Sequence, residues 1–188
     1  LTVLIEDGDI VDGVLTINIP SKIEENDCTI LGDSGSDKGY ALRFVDYNLK
    51  KYNKQIKEVV INIAEGYQKI QNFIHSNGGA CGLITCNLPS TLISITDFCT
   101  HSIINKITFP SKCDITLIGE GGFIRSDFYE EFVIPSSVEK IDSAAFVCCN
   151  FKKGITFESK SFIKEIGKNA FSGSVMNQKT LELPSHLR

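Results

Sequence analysis

The sequence predicts a repeat solenoid, a superhelix built on a parallel sheet of short strands, mostly β and loop with little helix. Three observations carry this. A break residue recurs at Pro20, Val45, Ala64, Pro89, Pro110, Pro135, Glu158 and Pro184, at intervals of 25, 19, 25, 21, 25, 23 and 26 residues, a mean of about 23. The residues one and three before each break are apolar: Ile19 and Ile17, Phe44 and Leu42, Ile63 and Ile61, Leu88 and Cys86, Phe109 and Ile107, Ile134 and Phe132, Phe157 and Ile155, Leu183 and Leu181. Beyond the break a second apolar pair recurs at three-residue spacing, as Leu92/Ile95, Ile115/Ile118, Val138/Ile141 and Ile163/Ile166.

Each element has a physical reason. Alternation with period two is the mark of a short strand with one buried face. A unit of about 23 residues cannot close a core alone, but stacking strand on strand at roughly 4.8 Å buries a continuous apolar column. Proline suits the strand end, where its missing N–H does not interrupt the ladder. The second apolar pair supplies the opposite wall, completed by a phenylalanine five residues further on at Phe123, Phe146 and Phe171. Gly119 and Gly167 stand where this second segment must turn. The expected organisation is one solenoid over residues 1–188, with divergent repeats or an N-terminal cap over 1–82 and clear repeats over 83–188.

The run Ile134-Pro135-Ser136-Ser137-Val138-x-x-Ile141-x-x-x-Ala145-Phe146, followed by Cys149, resembles the BspA-like leucine-rich repeat. Ile166-Gly167-Lys168-Asn169-Ala170-Phe171 looks like the next copy, and the mean interval lies within the ~20 to 29 residues of leucine-rich repeats. Departures are Glu158 for proline, Gly173-Ser174 where a cysteine would follow Phe171, and Cys99 directly after Phe98. The resemblance implies a right-handed leucine-rich-repeat superhelix displayed at the cell surface or secreted. It also implies a protein-binding and adhesion role toward a host or extracellular macromolecule, such as a host-cell or extracellular-matrix protein. It brings no catalytic residue, so no enzyme activity and no cofactor are expected. The alternative is a structural spacer, or an intracellular interaction scaffold in the cytoplasm.

Composition agrees with an ordinary globular chain: 42% hydrophobic and 22% charged, with a formal net charge of -4. The 19 basic residues are scattered and make no stripe to neutralise phosphates, so nucleic acid is not an expected partner. No apolar run reaches the roughly 18 to 20 residues of a membrane span, and the start Leu1-Thr2-Val3-Leu4-Ile5-Glu6-Asp7 lacks a signal peptide's basic flank. Beginning without Met and stopping soon after a motif starts, the chain reads as an excised piece. Its seven cysteines are an odd set, read as reduced, buried small hydrophobes.

Motifs that suggest chemistry fall to simpler readings. Gly32-Asp33-Ser34-Gly35 copies a serine-protease nucleophile loop, but His75, His101 and His186 all lie downstream where the catalytic histidine must precede it, which leaves a turn. Cys81-x-x-x-x-Cys86 lacks the second ligand pair zinc needs, and Cys86 holds an inward strand position. Cys148-Cys149 is read as one exposed and one buried thiol. Gly119-Glu120-Gly121-Gly122 lacks the Lys-Ser/Thr of a phosphate loop and reads as a turn.

If the residues one and three before the break point inward, the residue two before it points out. That outward row is Asn18, Arg43, Asn62, Asn87, Thr108, Val133, Thr156 and Glu182, with Lys106 and Glu131 one step further back. The candidate partner-binding face is therefore Asn87, Lys106, Thr108, Glu131, Val133, Thr156 and Glu182, a shallow polar surface suited to hydrogen bonding with a protein or glycan.

Overall fold

A computed structural model describes residues 10–21, 30–32, 56–75, 82–178 and 180–187. The break at Val45 with Leu42, Arg43 and Phe44, the Asp33-Ser34-Gly35 turn, Cys28 and Cys81 lie outside these residues.

The chain is a β-solenoid. Among the described residues, eight strands form one long sheet in the order Ile10–Val11, Val14–Ile19, Glu58–Ile63, Leu83–Asn87, Ile103–Thr108, Asp127–Phe128, Asn150–Phe151 and Val175–Met176. Every pairing is parallel except the first, where Ile10–Val11 turns back on Val14–Ile19 through Asp12-Gly13, both at positive φ. A second parallel sheet faces it, in the order Ile30–Gly32, Lys69–Gln71, Ser94–Thr96, Leu117–Ile118, Lys140–Ile141 and Glu165–Ile166. This is the opposite wall: Leu92, Ile95, Ile115, Ile118, Val138, Ile141 and Ile163 are all buried.

Between the walls runs the phenylalanine column. Phe73, Phe98, Phe123, Phe146 and Phe171 follow one another coil upon coil, with centroid separations of 5.9, 5.7, 5.2 and 5.1 Å, face to face except where Phe98 meets Phe123 edge-on. Phe146 is fully buried, whereas Phe171 is only half-buried, which corrects the expectation that both are enclosed. Phe171 has its stacking partner on the Phe146 side, and no described ring closes its other face.

A polar column follows the phenylalanines. Ser126 Oγ donates to the Cys99 carbonyl at 2.8 Å, Cys149 Sγ to the Phe123 carbonyl at 2.9 Å, and Ser174 Oγ to the Phe146 carbonyl. The cysteine after Phe146 and the serine after Phe171 thus do the same work, satisfying a backbone carbonyl of the preceding coil.

One sequence expectation about the first wall is corrected. Ile19 pairs directly with Ile63, and Val14–Ile19 has Ile10–Val11 on one edge and Glu58–Ile63 on the other. The segments before the breaks do not make one ladder. Those ending at Pro89 and Pro110 lie in the long sheet. Phe132–Ile134 instead pairs with Ile155–Phe157 in a separate two-stranded ribbon, and Leu181 to Leu183 is not a strand. The cause is register. Twenty-four residues separate the paired Ile104 and Phe128, but twenty-five separate Ile107 from Phe132. The extra residue throws the second half of the coil out of line with Ile103–Thr108. That strand is already irregular between Ile104 and Lys106.

The five described cysteines are all unbridged. Cys86, Cys99 and Cys149 are buried, Cys113 is half-buried and Cys148 is exposed, so Cys148 and Cys113 do not fit the role of enclosed hydrophobes. Burial pushes the Cys86 thiol well above its ordinary range and the Cys149 thiol up to about 12. Since the thiolate is the nucleophile, an alkylating reagent at pH 8 is expected to label native Cys148 and to reach Cys86, Cys99 and Cys149 only after unfolding. Peptide mass spectrometry of native and denatured samples checks this, and native labelling of Cys149 at the rate of Cys148 would contradict the packing.

Candidate partner-binding face

The outward row divides into three parts. Asn18, Asn62 and Asn87 line the long sheet in register, and their amides join into a ladder. Asn87 Nδ2 donates to Asn62 Oδ1 at 2.7 Å, and Asn62 Nδ2 donates to Asn18 Oδ1 at 2.8 Å. Thr108 pairs with Asn87 at the next rung, and Lys106 stands exposed opposite Thr85. The Asn/Thr row does not simply face water, because two hydrogen bonds tie its amides to one another within the sheet.

Val133 and Thr156 pair in the separate ribbon, with both side chains exposed. Thr156 Oγ1 donates to Glu131 Oε1 at 3.0 Å, so two candidate residues are joined. Glu182 is exposed on the last coil, across a groove from Thr156. The seven candidates therefore form two patches and an outlier: Asn87, Lys106 and Thr108 on the long sheet, Glu131, Val133 and Thr156 on the ribbon, and Glu182 beyond the groove.

Sequence reasoning missed the groove. It measures about 650 Å³ and is bordered by Glu131, Thr156, Phe157 and Glu158 on the ribbon side and by Thr180 and Glu182 to His186 on the other. Leu183, expected to point inward, is 52% exposed at its lip because its segment does not pair as a strand. The carboxylates are partly committed: Glu158 accepts from the Ser136 N–H at 2.8 Å, and on the groove's flank Lys153 is held by Glu130 at 2.7 Å. No periodic signal announces such a groove, since it arises where the repeat loses register.

A carboxylate also braces an earlier turn. Glu65 accepts from Ser90 N–H at 3.0 Å, Ser90 Oγ at 2.9 Å and Thr91 N–H at 3.2 Å, and these bonds, the Ser90 N–H first among them, hold its carboxyl below the usual range. Among the described residues no three of His, Cys, Asp and Glu converge as metal ligands, and no helix is long and apolar enough to cross a membrane.

Two packed parallel walls, a stacked aromatic column and a polar outer row define a repeat solenoid that presents extended faces. The chain matches the model of the BspA type leucine-rich repeat region in six copies over residues 68–188, and it belongs to that family. The match begins before residue 83, so the coil holding Ile70 and Phe73 is a family repeat that the motif did not reach. Among solved structures, the pneumococcal vaccine antigen PcpA is similar, at 20% identity and a TM-score of 0.49, covering 84% of this chain and 43% of that one. This chain thus spans less than half of that protein. None of the curated proteins matches.

Proposed function

We propose that the chain is a recognition module that binds a protein or glycan at a host or extracellular surface through Asn87, Lys106, Thr108, Glu131, Val133, Thr156 and Glu182, and that it works in adhesion, secreted or displayed at the cell surface. Membership of a repeat family built for protein interaction supports this. The observation that carries it is the face itself. Outside the Asn ladder, Lys106, Glu131, Val133, Thr156 and Glu182 are all exposed, and only Glu131 and Thr156 are tied to each other. The same ladder is what favours the second reading, a spacer that projects another part of its parent protein, because linked amides stiffen a sheet without needing a ligand.

A binding screen against extracellular-matrix and host-cell surface proteins identifies the partner. Changing Lys106, Thr108, Glu131 and Thr156 together to Ala is expected to leave the melting curve within a few degrees and to weaken capture by at least about tenfold, the loss of two or so net hydrogen bonds. Unchanged capture moves the site to the loops or the opposite wall, and a screen without any partner favours the spacer.

A further inference from the structure

The edge of the ribbon carries the inference. On Ile155–Phe157 the groups facing Phe132–Ile134 are the Gly154 carbonyl, which accepts from Phe132 N–H at 3.1 Å, and the Glu158 N–H, which donates to the Ile134 carbonyl at 3.0 Å. Alternation then turns the N–H and C=O of Ile155 and Phe157 the other way, toward the groove. Gln178 meets Ile155 there as a strand would: Ile155 N–H donates to Gln178 Oε1 at 2.5 Å, and Gln178 Nε2 donates to the Ile155 carbonyl at 2.7 Å. Among the described residues nothing comparable meets Phe157. Among the described residues no strand pairs with that edge, and the last coil stands off across the groove.

We infer that this groove is a slot for an extended peptide segment of a protein partner, which adds as a strand to the open edge at Phe157. The inference rests on the recognition reading above and names the form its partner takes. An open strand edge is a template for another backbone, and strand addition is a recurring mode of peptide capture. A volume of about 650 Å³ lies within the ~300 to 1,000 Å³ typical of ligand clefts. Half-buried Phe157 and exposed Leu183 offer an apolar floor for one side chain. The rim carries Glu131, Glu158 and Glu182 against Lys153 and Lys160, and Lys153 is already neutralised by Glu130. Carboxylates prevail, so the segment that fits carries a basic residue beside its apolar one.

The probe is a short labelled peptide alternating valine and threonine with one central lysine, compared with the same peptide N-methylated on alternate amides. Fluorescence anisotropy with the intact chain is expected to show the first binding at least about tenfold more tightly, as loss of one or two backbone hydrogen bonds implies. Hydrogen exchange at the Phe157 amide is expected to slow when it binds. Phe157→Pro, which removes the groove-facing N–H together with the ring, is expected to abolish the preference for the unmethylated peptide, while Phe157→Ala, which removes the ring alone, is expected to keep it, and Glu182→Lys to weaken binding without altering the fold. Equal binding of the two peptides, or unchanged exchange at Phe157, overturns the slot. If exchange at Phe157 does not respond while the fourfold alanine variant loses its screened partner, the slot fails and the face stands. If Phe157 is protected while that variant still captures its partner, the face fails and the slot stands.

Discussion

Phe146→Ala is expected to destabilise the chain by about 3 to 5 kcal/mol, the range for removing a buried aromatic ring. Phe146 is fully enclosed. It stacks on Phe123 at 5.2 Å and 7° and on Phe171 at 5.1 Å and 3°, and meets Phe132 edge-on at 5.5 Å. Its neighbours cannot close over the gap, because each ring hangs from a coil whose spacing is set by parallel pairing in both walls, Leu117–Ile118 to Lys140–Ile141 to Glu165–Ile166 on one side and Asp127–Phe128 to Asn150–Phe151 on the other. The cavity therefore persists, and cost rises with residual cavity volume. Such a loss is a large share of the ~5 to 15 kcal/mol total stability usual for a folded domain. In a chain of this size it lowers the melting temperature by on the order of 10 °C. Phe171→Ala, which removes a half-buried ring from one end of the column, is expected to cost less. Urea and thermal melts of the two variants check both size and order, and a Phe146→Ala protein melting within a degree or two of the parent would refute the register.

How far the sequence could be read follows from which interactions are periodic. From Leu92 onward the second wall was legible, since Leu92/Ile95 through Ile163/Ile166 recur at fixed spacing and almost every member is buried, whereas Ile30–Gly32 and Lys69–Gln71 of the same wall were not. Phe123, Phe146 and Phe171 were found five residues after the wall isoleucine. Phe73 and Phe98 were missed because they come three residues after Ile70 and Ile95, although they join the same column. The shorter turns bring the ring in through Asn72 and Asp97 at positive φ, immediately before it, where Ala144 at φ 55° stands two residues ahead of Phe146. Alternation matches burial in Val14–Ile19, Glu58–Ile63, Leu83–Asn87 and Phe132–Ile134, whereas Ile107 and Thr108 in the irregular Ile103–Thr108 are both half-buried and Leu183 is exposed. It could not say that Phe132–Ile134 leaves the long sheet, because one inserted residue changes pairing partners without changing the apolar pattern. The candidate face suffered the same way: Lys106, Glu131, Val133, Thr156 and Glu182 are exposed and Asn87 and Thr108 half-buried, yet the loss of register divides them and opens the groove beside Thr156.

The glycines after the second wall give the other large expected effect. Gly167 is not there for backbone freedom, since only close approach constrains it: a Cβ would lie 2.6 Å from Ser143 N and 2.7 Å from the Asp142 carbonyl carbon. Gly167 N–H also donates to the Ile141 carbonyl at 2.7 Å, which holds the two coils together at this point. Two coils earlier a Cβ on Gly119 would meet Thr96 Oγ1 and, at 2.9 Å, the Ile95 carbonyl, while Gly119 N–H donates to that same carbonyl at 2.6 Å. The column at this corner thus reads Thr96, Gly119, Asp142, Gly167, alternating a side chain with none: the Thr96 hydroxyl occupies the space a Cβ on Gly119 would take, whereas at Gly167 the backbone of Asp142 and Ser143 occupies it. Gly167→Ala must push the last coil off its neighbour, and overpacking of this kind costs about 1 to 3 kcal/mol. Because the obstacle there is backbone, Asp142→Ala is not expected to rescue it. At Gly119 part of the obstacle is a side chain, so adding Thr96→Ala to Gly119→Ala is expected to restore part of the loss. A double-mutant cycle on denaturant melts separates the two cases. A Gly167→Ala chain as stable as its parent, or one rescued as fully as Gly119→Ala, would show that the coils do not stack this closely.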